Sequence, residues 1–289
     1  PFVGDKDVTM IERVIIDLSA ATPKTIRLQL PPDQHRSTCS DDIACSEGWE
    51  DVQWAKDGKT LAFVSTDRGH KSATLRVADA ATGKVRDVHT ETVKTLYQSA
   101  PALDSVNWRY LPESNEFLWF SQKSDWGHLY LHDLATGKEK RQITSGDWNV
   151  AQIGHLDPAS RTLWFRGVGR EVGRDPYFVH YYKVGMDGGD VQLLTPENAN
   201  HAITVSKDGK RFVDVVSTID TAPVAVVRDA DGKQLAELAR TDLSRLKAAG
   251  WVAPESFTVK ARDGKTDLYG QLFKPSNFDA KKKYPIVTY

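Results

Sequence analysis

The sequence predicts an all-β fold: a partial β-propeller of about four and a half four-stranded blades, with the opening of a second domain behind it. Three observations predict it. A unit of about 50 residues recurs along the chain, each copy holds short runs of alternating character, and turn dipeptides divide those runs at matching places. A β-sandwich shows no such fixed period.

The chain opens on a partial blade, residues 8–17 and 25–30 on either side of a loop with Pro23. The first full copy leads from Trp54-Ala-Lys-Asp-Gly-Lys-Thr-Leu-Ala-Phe-Val-Ser into Leu75-Arg-Val-Ala-Asp79 and Ala81-Thr-Gly-Lys84. The same order returns from Trp108 through Phe117-Leu-Trp-Phe-Ser121, His128-Leu-Tyr-Leu-His-Asp133 and Ala135-Thr-Gly-Lys138. A third copy leads from His155 through Leu163-Trp-Phe and Tyr181-Tyr-Lys-Val to Met186-Asp-Gly-Gly. The fourth runs from Val205-Ser-Lys-Asp-Gly through Arg211-Phe-Val-Asp-Val-Val and Val224-Ala-Val-Val-Arg-Asp229 to Asp231-Gly-Lys233. Asp57-Gly58, Thr82-Gly83, Thr136-Gly137, Asp208-Gly209 and Asp231-Gly232 are the hairpin turns, because glycine supplies the positive φ that tight turns need.

Beyond the fourth copy the texture changes. Residues 241–250 read as a short helix capped by Thr241 or Asp242 and ended by Gly250, and Pro254 forbids its continuation. A hairpin follows, 256–261 and 267–274 around Arg262-Asp-Gly-Lys, and then a final strand over 283–289. Residues 1–240 are therefore assigned to the propeller, and 241–289 to a linker helix and the start of a second domain. Because the chain stops in what reads as mid-strand, it is expected to be a fragment.

Composition excludes several classes of function. Of 289 residues, 40% are hydrophobic and 27% charged, an ordinary globular mix, which leaves disorder and coiled coils without support. Lys plus Arg is 38 against 39 Asp plus Glu, with no segregated basic face, so nucleic acid is not expected as a partner. No run approaches the roughly 18 apolar residues of a membrane-spanning helix.

Residues 254–275, Pro-Glu-Ser-Phe-Thr-Val-Lys-Ala-Arg-Asp-Gly-Lys-Thr-Asp-Leu-Tyr-Gly-Gln-Leu-Phe-Lys-Pro, followed by Lys281-Lys-Lys-Tyr-Pro-Ile-Val, resemble the opening of the α/β-hydrolase domain in the prolyl oligopeptidase family of serine peptidases. Upstream, Phe117-Leu-Trp-Phe-Ser-Gln-Lys-Ser-Asp-Trp-Gly-His-Leu-Tyr and Ile143-Thr-Ser-Gly-Asp-Trp-Asn-Val150 are similar to later blades of the dipeptidyl peptidase IV branch, and Pro1-Phe-Val-Gly-Asp-Lys-Asp-Val8 to its segment between earlier and later blades. The resemblance implies an eight-bladed propeller over a hydrolase domain with a Ser-Asp-His triad, which removes dipeptides ending in Pro or Ala from free N-termini. It places the paired glutamates that hold the substrate amino group before Pro1, and the oxyanion tyrosine and nucleophile elbow after Tyr289. No Gly-x-Ser-x-Gly occurs in these residues, so no catalytic residue is assigned and the chain alone is expected to be inactive. The expected function is that of a substrate-gating propeller fragment of a periplasmic or secreted enzyme, with a cytoplasmic location left open. No cofactor is expected; peptides with a free N-terminus would be its partners, and the full-length enzyme would be a homodimer. The alternative is a non-enzymatic propeller acting as a protein-binding scaffold, since propellers host both.

Site candidates divide between sharp and plain readings, and substrate-contacting residues are not assigned. His128 and His132 flank Tyr130 on one strand face, where a half-exposed blade surface is preferred to a metal pair that lacks a third ligand. Trp54, Trp108, Trp119, Trp148 and Trp164 recur at equivalent places and read mostly as inter-blade packing. Residues 166–174, with Arg166, Gly167, Gly169, Gly173 and Arg174, read as a solvated loop. Cys39 and Cys45 are the only cysteines and sit in an acidic loop; a disulfide between them is favoured over two free thiols, and no metal site is expected there. Alkylation of the unreduced, denatured protein should then leave its mass unchanged, whereas prior reduction should admit two alkyl groups. Two groups taken up without reductant would establish free thiols.

Overall fold

The computed structural model describes residues 4, 6–7, 10–19, 21–33, 52–98 and 106–288. The cysteine pair lies outside the described residues. Within them the chain forms two compact units, residues 1–171 with 181–193, and residues 172–180 with 194–289.

In the first unit, β1 (Val14–Asp17) and β2 (Lys24–Arg27) pair antiparallel as the partial blade. The next sheet runs in simple order through β3 (Val52–Trp54), β4 (Thr60–Thr66), β5 (Ser72–Asp79) and β6 (Val85–Thr92). A second meander follows through β7 (Arg109–Leu111), β8 (Glu116–Ser121), β9 (His128–Asp133) and β10 (Glu139–Gln142). The third consists of β11 (Asn149–Asp157), β12 (Thr162–Val168), β13 (Val179–Gly185) and β14 (Gln192–Leu193), and β13 begins in one unit and ends in the other. The second unit carries β15 (Asn200–Val205), β16 (Arg211–Ser217), β17 (Val224–Asp229) and β18 (Gln234–Arg240), then α1 (Ser244–Ala248) and a hairpin of β19 (Glu255–Lys260) and β20 (Asp267–Leu272). Four four-stranded meanders and a half-blade among the described residues match the expected architecture.

The phase of the repeat differs from the sequence reading. Trp54 and Val205 end the first strand of their sheets, His155 lies inside β11, and Trp108 just precedes β7. The tail differs as well. Residues 283–288 form no strand, and Ile286 and Val287 are exposed, because no described strand lies alongside to pair with them. The short helix is where it was expected and Gly250 follows at φ 88°, but its N-cap is Leu243, without a side-chain cap bond, and Asp242, one residue earlier, accepts from the Ser244 backbone N–H and hydroxyl.

Strand alternation does more than separate inside from outside. In β8 every residue is buried, yet successive side chains feed different cores. Phe117 and Trp119 join Ala62, Val64, Leu75 and Trp108, whereas Leu118 and Phe120 join Trp148, Val150, Leu163 and Phe165. The second sheet is thus cemented to the first and to the third, as stacked blades require.

The third hairpin adds a second device in the first, second and fourth blades. In the run Asp79-Ala-Ala-Thr-Gly-Lys84, Asp79 Oδ1 accepts from the backbone N–H groups of Ala81 and Thr82 and from the Thr82 hydroxyl, and Asp133 does the same for Thr136. This wraps the turn so that Gly83 and Gly137, both at φ 71°, lie against the preceding sheet: a Cβ on Gly83 would fall on the carbonyl oxygen of Arg27, and one on Gly137 on that of Val88. In the second unit, Gly232 makes the same approach to the carbonyl of Leu194. Gly58 has a similar φ of 69° with open space around it. Gly58→Ala should therefore cost about 1 kcal/mol of left-handed strain, and Gly137→Ala about 3 kcal/mol or more, since it adds overpacking against backbone. Urea denaturation of the two variants checks this; equal losses would show that close docking of the turn is not a constraint.

Candidate functional site

The polar groups trapped between blades are the chemically distinctive part of the structure. Glu116 opens β8 and is almost fully buried. It accepts from Arg161 Nη1 at 2.8 Å and Nη2 at 3.3 Å, and from Lys140 Nζ, while Arg161 also grips Asp187 through Nε at 2.5 Å and Nη2 at 2.9 Å. Burial alone would push the Glu116 carboxyl up, but the hydrogen bonds from Arg161 and Lys140 outweigh it and hold it below the ordinary carboxylate range. The arrangement ties the second sheet to the third through a carboxylate whose charge is fully answered.

In the second unit Glu197, His201 and Asp214 bring their ligand atoms within 4.8 Å of one another. The Arg228 guanidinium is already committed to them, Nε to Asp214 Oδ2 at 2.9 Å and Nη2 to Glu197 Oε1 at 2.6 Å, so a metal cation would have to displace a fixed positive charge. The cluster acts as a buried ion network.

A cleft of about 770 Å³ lies between β6 and the second sheet. His89, Glu91, Leu96, Trp119, Lys123, His132 and Glu139 form its principal walls. Trp119 Nε1–H donates to Glu91 Oε2 at 2.6 Å and Ser121 Oγ–H to Glu91 Oε1 at 2.7 Å. Lys123 pairs with Glu139 and sits 3.9 Å from the centroid of the Tyr130 ring. Tyr97 packs beside Trp119 and is fully buried, which raises its phenol well above the ordinary value.

Histidines 128 and 132 correct the sequence reading: both are buried, at 1% and 4% exposure, rather than half-exposed. The face of β9 that carries them is covered by the neighbouring blade. His128 Nε2–H donates to the Gly146 carbonyl at 2.9 Å, and its Nδ1 meets the Thr144 hydroxyl at 3.0 Å. His132 Nδ1–H donates to the Gly137 carbonyl at 3.1 Å, and its ring stacks on Phe117 and lies 4.6 Å from that of His89. Of the five tryptophans read as packing residues, Trp108, Trp119 and Trp148 are buried in the inter-blade cores, Trp164 is half-buried, and Trp54 is half exposed. Arg166 lies in β12 rather than in a loop, and Arg170 lies over the Trp148 and Tyr182 rings. Arg174 donates to the carbonyls of Pro196 and Glu197, so the 166–174 segment is held by specific bonds more than a solvated loop would be. Sequence reasoning missed Glu91, Glu116 and Arg228, and no local motif marks them.

A family model described as the dipeptidyl peptidase IV (DPP IV) N-terminal region matches residues 1–223. Dipeptidyl peptidase 4 of Trichophyton rubrum is 26% identical over 176 residues, which are 58% of this chain and 21% of that protein. Dipeptidyl peptidase 8 of Homo sapiens is 27% identical over 166 residues, 53% of this chain and 18% of that protein. The chain thus spans about a fifth of the length of the curated relatives it matches. The crystal structure of Porphyromonas gingivalis dipeptidyl peptidase 4 aligns at a TM-score of 0.70 with 18% identity, covering 96% of this chain and 40% of that one, a likeness of fold.

Burial lowers the His132 imidazole to about 4. It therefore stays neutral in the folded chain, while the unfolded chain takes up a proton as pH falls below about 6.5. Folding stability should drop by about 1.4 kcal/mol per pH unit across that window and level off near pH 4, about 3 kcal/mol in all from this group. His132→Gln should be less stable at pH 7 but lose correspondingly less between pH 6.5 and 4, read as the difference between the two urea-denaturation profiles. Parallel profiles would overturn the assignment.

Proposed function

The chain belongs to the dipeptidyl peptidase IV N-terminal region family, and on that premise we propose that it is the substrate-gating propeller portion of a serine dipeptidyl aminopeptidase that releases N-terminal X-Pro and X-Ala dipeptides. The observation that carries the reading is the order of parts. Propeller blades matched by the family model give way, after Arg240, to a helix and a hairpin whose Phe257, Val259, Leu268 and Leu272 are exposed, the kind of apolar surface that a further domain covers. We place the domain boundary there, at 240/241.

In this reading the blades do no bond chemistry. Stacked sheets form a rigid wall that admits only chains thin enough to pass and fixes one end of the peptide, so the cut is placed by geometry. Acyl transfer through a serine ester belongs to the triad, outside residues 1–289. The enzyme is periplasmic or secreted, and its working form is a homodimer.

The test is the natural gene product assayed on glycyl-prolyl p-nitroanilide. Release of p-nitroaniline that a serine-directed fluorophosphate abolishes is expected, with none from residues 1–289 alone. A full-length product with no release would overturn the peptidase reading and favour a scaffold, and release that the reagent does not touch would overturn the serine mechanism.

A further inference from the structure

Glu91 is a carboxylate oriented as if for a partner that the described residues do not supply. Its two oxygens are fixed by Trp119 Nε1–H and Ser121 Oγ–H, and both donor residues are buried, so the carboxylate has little freedom to turn. Both donors are neutral. Among the described residues no lysine or arginine pairs with it: the cleft's Lys123 is committed to Glu139, and Lys94 is exposed. This contrasts with Glu116, a glutamate between the second and third sheets, which has two cationic partners.

The surroundings favour a positive ligand. Three carboxylates, Glu91, Asp125 and Glu139, line the cleft against two lysines, Lys94 and Lys123. The adjoining wall is made of the His89 and His132 imidazoles, and burial lowers both below the ordinary histidine value, so neither neutralises Glu91 at pH 7. Val93 and Leu96 add apolar surface near the mouth, and a volume of about 770 Å³ is in the range of small-ligand sites.

We propose that this cleft binds a ligand through a guanidinium or primary ammonium group seated on Glu91, with the His89 and His132 rings flanking its carbon stem. The carboxylate is pre-oriented, so binding costs little reordering, and a charge-assisted hydrogen bond in a half-buried cleft is stronger than one in open water. The site stands independently of the peptidase reading.

The ¹⁵N-labelled chain is titrated at pH 7 with n-butylguanidinium, n-butylammonium, butyrate and the peptide acetyl-Gly-Arg-Gly-amide, following the Trp119 indole N–H resonance, which reports directly on Glu91. A saturable shift with the cations and none with butyrate is expected. Saturation by the free cations identifies a small amine or guanidine as sufficient, whereas saturation by the peptide alone identifies a basic peptide side chain; either supports the site. Glu91→Gln should weaken binding about tenfold or more, and Leu96→Arg, which places a positive charge at an exposed position on the mouth, should weaken it too, even if Glu91→Gln does not fold. Absence of a saturable shift with every cation, an equal response to butyrate, or undiminished binding in a folded variant would overturn the proposal.

Discussion

A sheet buried on both faces is the constraint from which the rest of this structure follows. A strand in a sandwich keeps one face wet, and its polar residues mark that face. In β8 and β9 alternation instead deals side chains to two separate cores, one shared with the preceding sheet and one with the following. Any polar group on such a strand then needs a partner inside the protein, because leaving it unpaired costs about 1 to 3 kcal/mol. His128 meets this demand with Gly146 and Thr144, His132 with Gly137, and Glu116 with Arg161 and Lys140.

The same requirement explains the turns. Blades that press face to face bring their outer hairpins against the neighbouring backbone, where a side chain has no room. Aspartate at 79 and 133 curls each turn by collecting its backbone N–H groups, and glycine at 83 and 137 provides both the positive φ and the missing Cβ. Twist, turn and contact are decided within six residues, and that short range is why the repeat was legible.

Legibility tracked the range of the forces involved. The period, the turn dipeptides, the half-blade and the β19–β20 hairpin rest on local chemistry and could be read from the residues alone. Features set by distant partners could not. The first strand contains the lead residue at 54, 155 and 205 and begins just after it at 108, because pairing across the sheet defines it. Residues 283–288 have strand-like composition but no described neighbour to bond with. The burial of His128 and His132 was invisible because period-2 alternation tells which side chains share a face and says nothing about what covers that face.

Among the polar sites, the two inter-blade glutamates separate stability from function. Burying a carboxylate is costly, and proteins ordinarily offset it with a cation nearby. Glu116 follows that rule with Lys140 and Arg161, and its place between two sheets accounts for it without appeal to a ligand. Glu91 lies beside two neutral donors and two imidazoles whose burial disfavours their charged form, in an open cleft. Two neutral donors, one on each Glu91 oxygen, hold the carboxylate rigid without cancelling its charge. A rigid carboxylate with no cation beside it can attract one from outside, and that difference is the physical reason for locating recognition on this blade face and structural support at the other.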